Sequence, residues 1–363
     1  MKMIFNLQLT LKCNLKCSYC QATAEGSPFP PRITYSLKTL KKFIEADPDA
    51  IIAFYGGEPL LEIPMMQKIM DNIQAKCYIL QTNGILLHKV PLNYLNRFHT
   101  IVLSIDGQES ITDLHRGKNT HKKILKNAAL LRKNGFQGEL IARMTVSEEM
   151  DIYREVTWLL ELQEPKFDSV HWQLDLMFNE RDLWKDLENW ISERYNPQIS
   201  QLVEYWVTRM KTESKVLKIY PFLGIMDRLL FEKTSKLHCG AGWIWQNICT
   251  DGIIAACPVG ADFSPFQIGN IRKMHPLDTL DALQVGEPCP SCEIYGICGG
   301  RCLYANMFKP WGLEGYKLVC TTVFHLVHEL QKVQEEIEAL IASGKLTPKD
   351  FEYLKYNCCE IIP

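Results

Sequence analysis

The sequence predicts an α/β fold: a partial (β/α)6 barrel, a small cysteine-rich unit with a β-hairpin and short helices, and a C-terminal helix. Three observations predict it. Strand-like and helix-like runs alternate through the first half, and repeated β–α units imply a parallel sheet with crossover helices. Cysteines crowd the second half at short intervals. A charged amphipathic stretch follows them at about 321–342. With 363 residues, 47% of them apolar, the chain can bury a sizeable core as one large domain or two or three units. The expected units are the barrel over 1–180, a helical connector over 181–236, the cysteine-rich unit over 237–325, and a helix and tail over 326–363.

The first strand covers 3–10. Met3, Phe5, Leu7, Leu9 and Leu11 share one face, with Asn6, Gln8 and Thr10 on the other. A period of two marks a strand and not a signal peptide. Further strands are expected at 50–55, 77–82, 100–105, 139–146 and 169–177, and helices at 36–46, 63–75, 119–134 and 151–163. Ser36 and Asn119 read as helix caps and Gly135 as a stop. In parallel α/β folds, ligands sit at the carboxyl ends of strands. The connector repeats Leu183, Leu187, Trp190 and then Leu202, Trp206, Met210 at helical spacing, with turns at Asn196-Pro197 and Tyr220-Pro221. The C-terminal helix is expected to begin just after Cys320 and to pack back onto the barrel.

A net charge of −2 argues against nucleic acid or anionic membrane as a partner recruited by bulk electrostatics. No apolar run is long enough to span a bilayer, so a soluble, cytoplasmic protein is expected. Without a secretion signal, fourteen cysteines point to metal sites before disulfides. Cys77 reads as core, and Cys358 and Cys359 as surface thiols of the tail or a redox relay.

Cys13, Cys17 and Cys20 are spaced C-x3-C-x2-C. Three such thiolates can hold three corners of a [4Fe–4S] cube, and clusters normally take four cysteines. The open iron then invites a small molecule. Zinc usually wants a fourth ligand, and none lies nearby. This arrangement resembles the radical S-adenosylmethionine (radical SAM) enzymes. The resemblance implies that the amino group and carboxylate of SAM fill the vacant iron site.

Other segments extend the resemblance. Gly56-Gly57-Glu58-Pro59 follows the second strand, where the family contacts the SAM amino group; two glycines let backbone approach a ligand closely. Gln81-Thr82-Asn83-Gly84 ends the third strand and Ser104-Ile105-Asp106-Gly107 the fourth. In the family such a serine and a following arginine hold the SAM carboxylate. Arg116 is the expected arginine and Arg143, on the fifth strand, the second candidate; an arginine fork suits a carboxylate. Tyr19 sits where the family places an aromatic against adenine. An apolar barrel interior is expected around the radical.

The second cysteine region reads Cys239-x12-Gly252-x4-Cys257, then Cys289-x2-Cys292-x5-Cys298-x3-Cys302, then Cys320. Paired C-x2-C spacing also suits zinc knuckles, but the full set resembles the SPASM extension of radical SAM maturases. Thr250-Asp251-Gly252 is the expected hairpin turn. The resemblance implies two auxiliary [4Fe–4S] clusters: Cys289, Cys292, Cys298 and Cys320 on the outer one, and Cys239, Cys257 and Cys302 on the inner one. Its fourth ligand is Cys249, His238 or an open iron that accepts a substrate atom, with Cys249 slightly favoured.

By the same resemblance, a one-electron reduction cleaves SAM to a 5′-deoxyadenosyl radical that abstracts hydrogen from a peptide or protein residue. A low-potential donor, flavodoxin or ferredoxin, would supply the electron. Asp175 and Asp262 are candidate catalytic bases. In sulfatase maturases an aspartate follows the cysteine matching Cys257; here Pro258 does, which argues against that reaction. Because the cysteine loop begins at residue 13, peptide recognition is expected from the barrel mouth, the connector or a separate protein. The alternatives are a radical SAM enzyme with a small-molecule substrate, and a non-catalytic iron–sulfur electron carrier.

Overall fold

The structure, a computed structural model, describes residues 3–20, 26–176, 186–355 and 359. Leu183, Cys358 and the last residue of the expected sixth strand lie outside these. The six expected parallel strands form in order: β1 (Ile4–Thr10), β2 (Ile51–Gly56), β3 (Cys77–Thr82), β4 (Thr100–Ser104), β5 (Glu139–Val146) and β6 (Ser169–Leu174). Each pairs with its predecessor in parallel register. Between them run α1 (Leu37–Ile44), α2 (Ile63–Asn72), α3 (Leu92–Leu95), α4 (Glu109–Arg116), α5 (Thr120–Lys133) and α6 (Ile152–Glu161). Then come α7 (Leu187–Trp190), α8 (Asn196–Glu213) and α9 (Tyr220–Phe231). Strands β7 (Trp245–Ile248), β8 (Ile253–Ala255) and β9 (Gln267–Asn270) follow, then α10 (Tyr295–Cys298), α11 (Leu303–Phe308), α12 (Gly312–Lys332) and α13 (Gln334–Ala342).

Among the described residues the nine strands belong to one sheet, ordered β6-β5-β4-β3-β2-β1-β7-β8-β9. Strand β7 pairs in parallel with β1, and the hairpin β7–β8 is antiparallel. The cysteine-rich unit therefore continues the barrel wall through backbone hydrogen bonds.

Strand alternation decides what faces inward. On β1, Met3, Phe5, Leu7 and Leu9 pack outward with Leu40, Phe43 and Ile44 of α1. The alternate residues point into the barrel. Its floor is apolar: Ile4, Ile51, Ala53, Ile79, Val102 and Ile141. Two residues further along each strand the lining turns polar, with Asn6 and Gln8 of β1, Gln81, Ser104, Arg143 and Gln173. The expected apolar interior thus holds only for the floor. The polar face of β1 is buried on the inner side of the sheet.

Several local expectations change. Ser36 caps α1, its Oγ accepting from the Thr39 N–H at 3.1 Å. Asn119 does not cap α5 with its side chain and sits at φ 64°. The Asp113 carboxylate accepts from the Asn119 and His121 N–H groups instead. Gly135 ends α5 at φ 88°. The pairs Asn196-Pro197 and Tyr220-Pro221 open α8 and α9 rather than forming turns, since proline is at home in a first helical turn. Helix α12 begins at Gly312, so Cys320 lies within it and not before it. It packs on α8 and α9, and Trp311 just before it donates to the Leu176 carbonyl beyond β6 at 3.1 Å.

The barrel floor is closed by Tyr220 and Cys359, both buried against it, with Cys77 and Tyr353 alongside. Cys359 is therefore not a surface thiol. Among the described residues, no helix is long and apolar enough to cross a membrane.

Candidate functional site

The three-cysteine loop leaves the carboxyl end of β1 and is braced on both sides. On one side it lies on the Gly56-Gly57 segment. The Gly57 N–H donates to the Thr10 carbonyl at 2.8 Å, and the Glu58 N–H to the Lys12 carbonyl at 2.9 Å. A Cβ on Gly56 would strike the Thr10 carbonyl, and one on Gly57 the Lys12 carbonyl. These glycines are needed by the close approach of the chain to itself.

Glu58 turns inward. Its Oε1 accepts from the Leu60 N–H at 2.9 Å and the Thr82 hydroxyl at 2.7 Å, and its Oε2 from the Asn83 N–H at 2.8 Å. It is fully buried, and burial raises its pKa to about 7 against these three donors. The carboxylate ties β2 to β3 and spends its oxygens there. Next to it, Asn83 Nδ2 donates to Asn14 Oδ1 at 2.8 Å and lies 3.7 Å from the Cys13 sulfur.

On the other side the loop is held by α4. The Ser18 N–H donates to the His115 carbonyl at 2.9 Å, and Ser18 Oγ meets His115 Nδ1 at 2.7 Å. His115 Nε2 in turn meets Ser147 Oγ at 2.8 Å. The Tyr19 hydroxyl donates to Asp106 Oδ2 at 2.7 Å. Arg116 grips the same carboxylate with Nε at 2.7 Å and Nη2 at 2.8 Å, and its guanidinium lies 5.4 Å from the centre of the Tyr19 ring. The Thr145 N–H adds a fourth bond to Asp106 at 2.9 Å. Asp106 is fully buried and Arg116 nearly so.

This geometry redistributes the expected roles. Arg116 is committed to Asp106. Arg143 donates to Gln81 Oε1 at 2.6 Å and to Gln173 Oε1. Both partners are neutral amides, and among the described residues Arg143 makes no ion pair. It pairs in register with Ser104. Gln8 Oε1 is buried without a hydrogen-bond partner. A cation without an acidic partner and an orphaned acceptor thus both sit on the inner face of the sheet.

Cys13 and Cys20 are exposed and Cys17 half-buried at the barrel mouth. The three thiols lie within electrostatic reach of one another, and burial pushes Cys17 up to about 11. Two further thiol groups assemble in the C-terminal half. Cys320 is within reach of Cys289, Cys292 and Cys298, and burial raises it to about 12. Cys257 is within reach of Cys239 and Cys302 and is also raised by burial. Tyr316 OH lies 3.0 Å from the Cys289 sulfur, and Asn306 Nδ2 lies 3.4 Å from it. Among the described residues no three donors converge on a single metal ion; each group is gathered more widely than that.

Cys249 stands elsewhere. It is fully buried with Leu11, Phe29, Ala255 and Ala261, and Asn247 Nδ2 donates to its sulfur at 3.4 Å. The hairpin pairs Asn247 with Ala255. Strand β8 ends at Ala255, so Cys257 lies beyond the paired ribbon. The charges that act on Cys249 are Asp251 and Asp262, whereas those on Cys257 are Cys302 and Cys239. His238 Nε2 donates to the Ile297 carbonyl at 2.8 Å, and burial lowers its pKa to about 3. Asp175 follows β6 at one edge of the sheet, its N–H donating to the Val146 carbonyl at 2.8 Å. Asp262 is exposed in the loop after β8, its pKa raised by partial burial.

Sequence reading missed His115, Gln8 and Gln173. The alternation of β1 had already set Gln8 apart from the apolar face, so the signal for one of them was present.

Residues 7–154 match the model of the radical SAM superfamily. The chain carries a radical SAM domain. Its cofactors are SAM and [4Fe–4S] chemistry, and the protein is an enzyme. Beyond the domain, the chain is 24% identical over 324 residues to the cysteine-type anaerobic sulfatase-maturating enzyme of Clostridium perfringens, covering 80% of this chain and 85% of that one. It is 24% identical over 319 residues to the subtilosin biosynthesis protein AlbA of Bacillus subtilis, covering 81% and 65%. Among solved structures, anSMEcpe with bound AdoMet superposes with a TM-score of 0.70 at 20% identity, covering 93% of this chain and all of that one. SuiB of Streptococcus suis, bound to its precursor peptide SuiA, gives 0.59 at 16% identity, covering 85% and 73%. The fold is therefore shared along nearly the whole chain, cysteine-rich half included.

Proposed function

We propose that this enzyme reductively cleaves SAM and abstracts hydrogen from a residue of a peptide or protein. One observation carries the reading: the Cys13–Cys20 loop is clamped between Gly57 and Asp106 at the carboxyl end of the parallel sheet, on whose inner face Arg143 is held by neutral amides without an acidic partner. Cys13, Cys17 and Cys20 would hold the cluster, which would supply the single electron for cleavage of SAM to methionine and a 5′-deoxyadenosyl radical. The chain's own residues position the substrate of that step. Arg143, pre-oriented by Gln81 and Gln173, binds the SAM carboxylate, with Ser104 beside it. Gln8 Oε1 offers an acceptor whose isolation costs about 1–3 kcal/mol until a ligand donor reaches it. Arg116 acts one step back, holding Asp106 and Tyr19 so that the loop keeps its shape.

Cys289, Cys292, Cys298 and Cys320 hold an outer auxiliary cluster, and Cys239, Cys257 and Cys302 an inner one. The burial of Cys249 with Leu11, Phe29, Ala255 and Ala261, apart from that group, favours an inner site with three cysteines and an iron free for a substrate atom. Buried thiols with raised pKa values lose their protons on binding metal. Peptide chemistry is favoured because the relatives that share the cysteine-rich half include SuiB, bound to a precursor peptide, and a bacteriocin biosynthesis protein. Pro258 in place of an aspartate speaks against sulfatase maturation.

The test is mass spectrometry of candidate peptides incubated anaerobically with the reduced enzyme and SAM. A deuterated peptide should pass its label into 5′-deoxyadenosine and change mass. Label transfer from a small molecule and from no peptide would replace this reading.

A further inference from the structure

Helix α5 carries an unpaired basic face that ends at the cysteine loop. Its sequence, THKKILKNAALLRK, contains no acidic residue. At about 100° per residue, Lys122, Lys123, Lys126 and Lys133 fall within one arc of about 100°, facing away from the buried Ile124, Ala128 and Leu131. All four are exposed, as is Lys118 just before the helix. Among the described residues none of the five makes an ion pair. Of the nearby acids, Asp113 caps α5, Asp168 is held by Arg132, Glu109 lies towards His121 on the other flank, and Glu164 shares a pocket with Lys133 at the far end of the helix. The whole chain carries a net charge of −2, so this clustering is local.

The face begins where the site is open. The Thr120 hydroxyl donates to the Arg116 carbonyl at 3.2 Å, and Arg116 stacks on Tyr19 between Cys17 and Cys20. Lys12 and Lys16, also exposed, flank Cys13. Leu114, 59% exposed on α4, and Leu130, 39% exposed within the arc, add apolar points. Long-range steering by a one-signed patch speeds a brief encounter without a large buried interface, and redox encounters sit at the small end of interface sizes.

We propose that this face docks an acidic one-electron carrier protein, which supplies the electron consumed at the cysteine loop. The inference rests on the radical SAM reading and names its partner surface. The reduced carrier is oxidised by one electron and the cysteine-loop site reduced by one; no bond forms or breaks and no proton moves in that transfer.

The test uses the anaerobically purified, cluster-bearing enzyme with a bacterial flavodoxin as probe. Binding is measured across salt concentrations, and 5′-deoxyadenosine formation is measured with flavodoxin or dithionite as reductant. The variant is Lys118→Glu, Lys122→Glu and Lys126→Glu combined, all at exposed positions. At about 50 mM salt the variant should bind flavodoxin about tenfold more weakly, and the difference should vanish near about 0.5 M salt. Dithionite-driven turnover, which needs no docking, should not change. Flavodoxin binding that ignores salt, or that survives the triple reversal, overturns the proposal. Dithionite-driven turnover then stays intact, so that failure falls on the docking face and not on the radical SAM reading.

Discussion

Asp106 shows how much one side chain can carry. Its two oxygens take the Tyr19 hydroxyl, the Arg116 fork and the Thr145 N–H, so it joins the cysteine loop, α4 and β5. Asp106→Asn would leave the Arg116 cation buried without its counter-charge. The expected cost is about 3–5 kcal/mol, read from the denaturant midpoint, with weakened iron retention at the loop. Glu58 gives a pH-dependent counterpart. Burial raises its folded pKa from the ordinary 4.5 to about 7. The folded state therefore holds the proton more tightly than the unfolded chain. Its favourable contribution is complete below about pH 4.5 and is lost as pH rises through about 7, a change of order 3 kcal/mol. The stability difference between wild type and Glu58→Gln should shrink by that amount from pH 5 to pH 8; a flat difference would contradict the assignment. The residue types at these positions were legible in the sequence. Their orientations were not, because the partners that turn Glu58 and Arg116 inward are fixed only by how the strands stack.

At the scale of elements, the six parallel strands were readable nearly to the residue, β1 from its period-two alternation and the others from short strand-like runs between helical patterns. Helix α4 escaped notice because only Ile111 and Leu114 are apolar in ESITDLHR, and Leu114 points to solvent. Helix α12 starts eight residues before Cys320, at Gly312, and holds Gly315 in its first turn. In the fold Gly315 is required, since a Cβ there would strike Trp311. The glycine pair after β2 was recognised, but its use differs: it admits the Thr10–Lys12 backbone. Gly57→Ala should push the Lys12 carbonyl away and strain the loop, at about 1–3 kcal/mol. Iron analysis should then show loss from the N-terminal site alone, with about eight of about twelve irons kept at four per cluster. Uniform loss from all sites would contradict that local account.

For the whole molecule, the sheet is the unifying fact. Pairing of β7 with β1 places the cysteine-rich half directly beside the strand that launches the first three-cysteine loop. That adjacency could not be read from spacing, because β1 and β7 lie far apart in sequence and nothing local marks them as neighbours. The spacing did show which cysteines gather: the trio at the barrel mouth, the four around Cys320 and the three around Cys257. It left Cys249 open as a further member of the last group; in the fold Cys249 is buried with Leu11, Phe29, Ala255 and Ala261. The central claim is that the first trio holds a cluster with a corner open to SAM. Dithionite-reduced, iron-loaded enzyme mixed with SAM under strict anaerobiosis tests it most directly. The account predicts 5′-deoxyadenosine and methionine in equal amounts from the wild type and none from Cys17→Ala; wild-type enzyme with a full iron complement that releases neither product would contradict it.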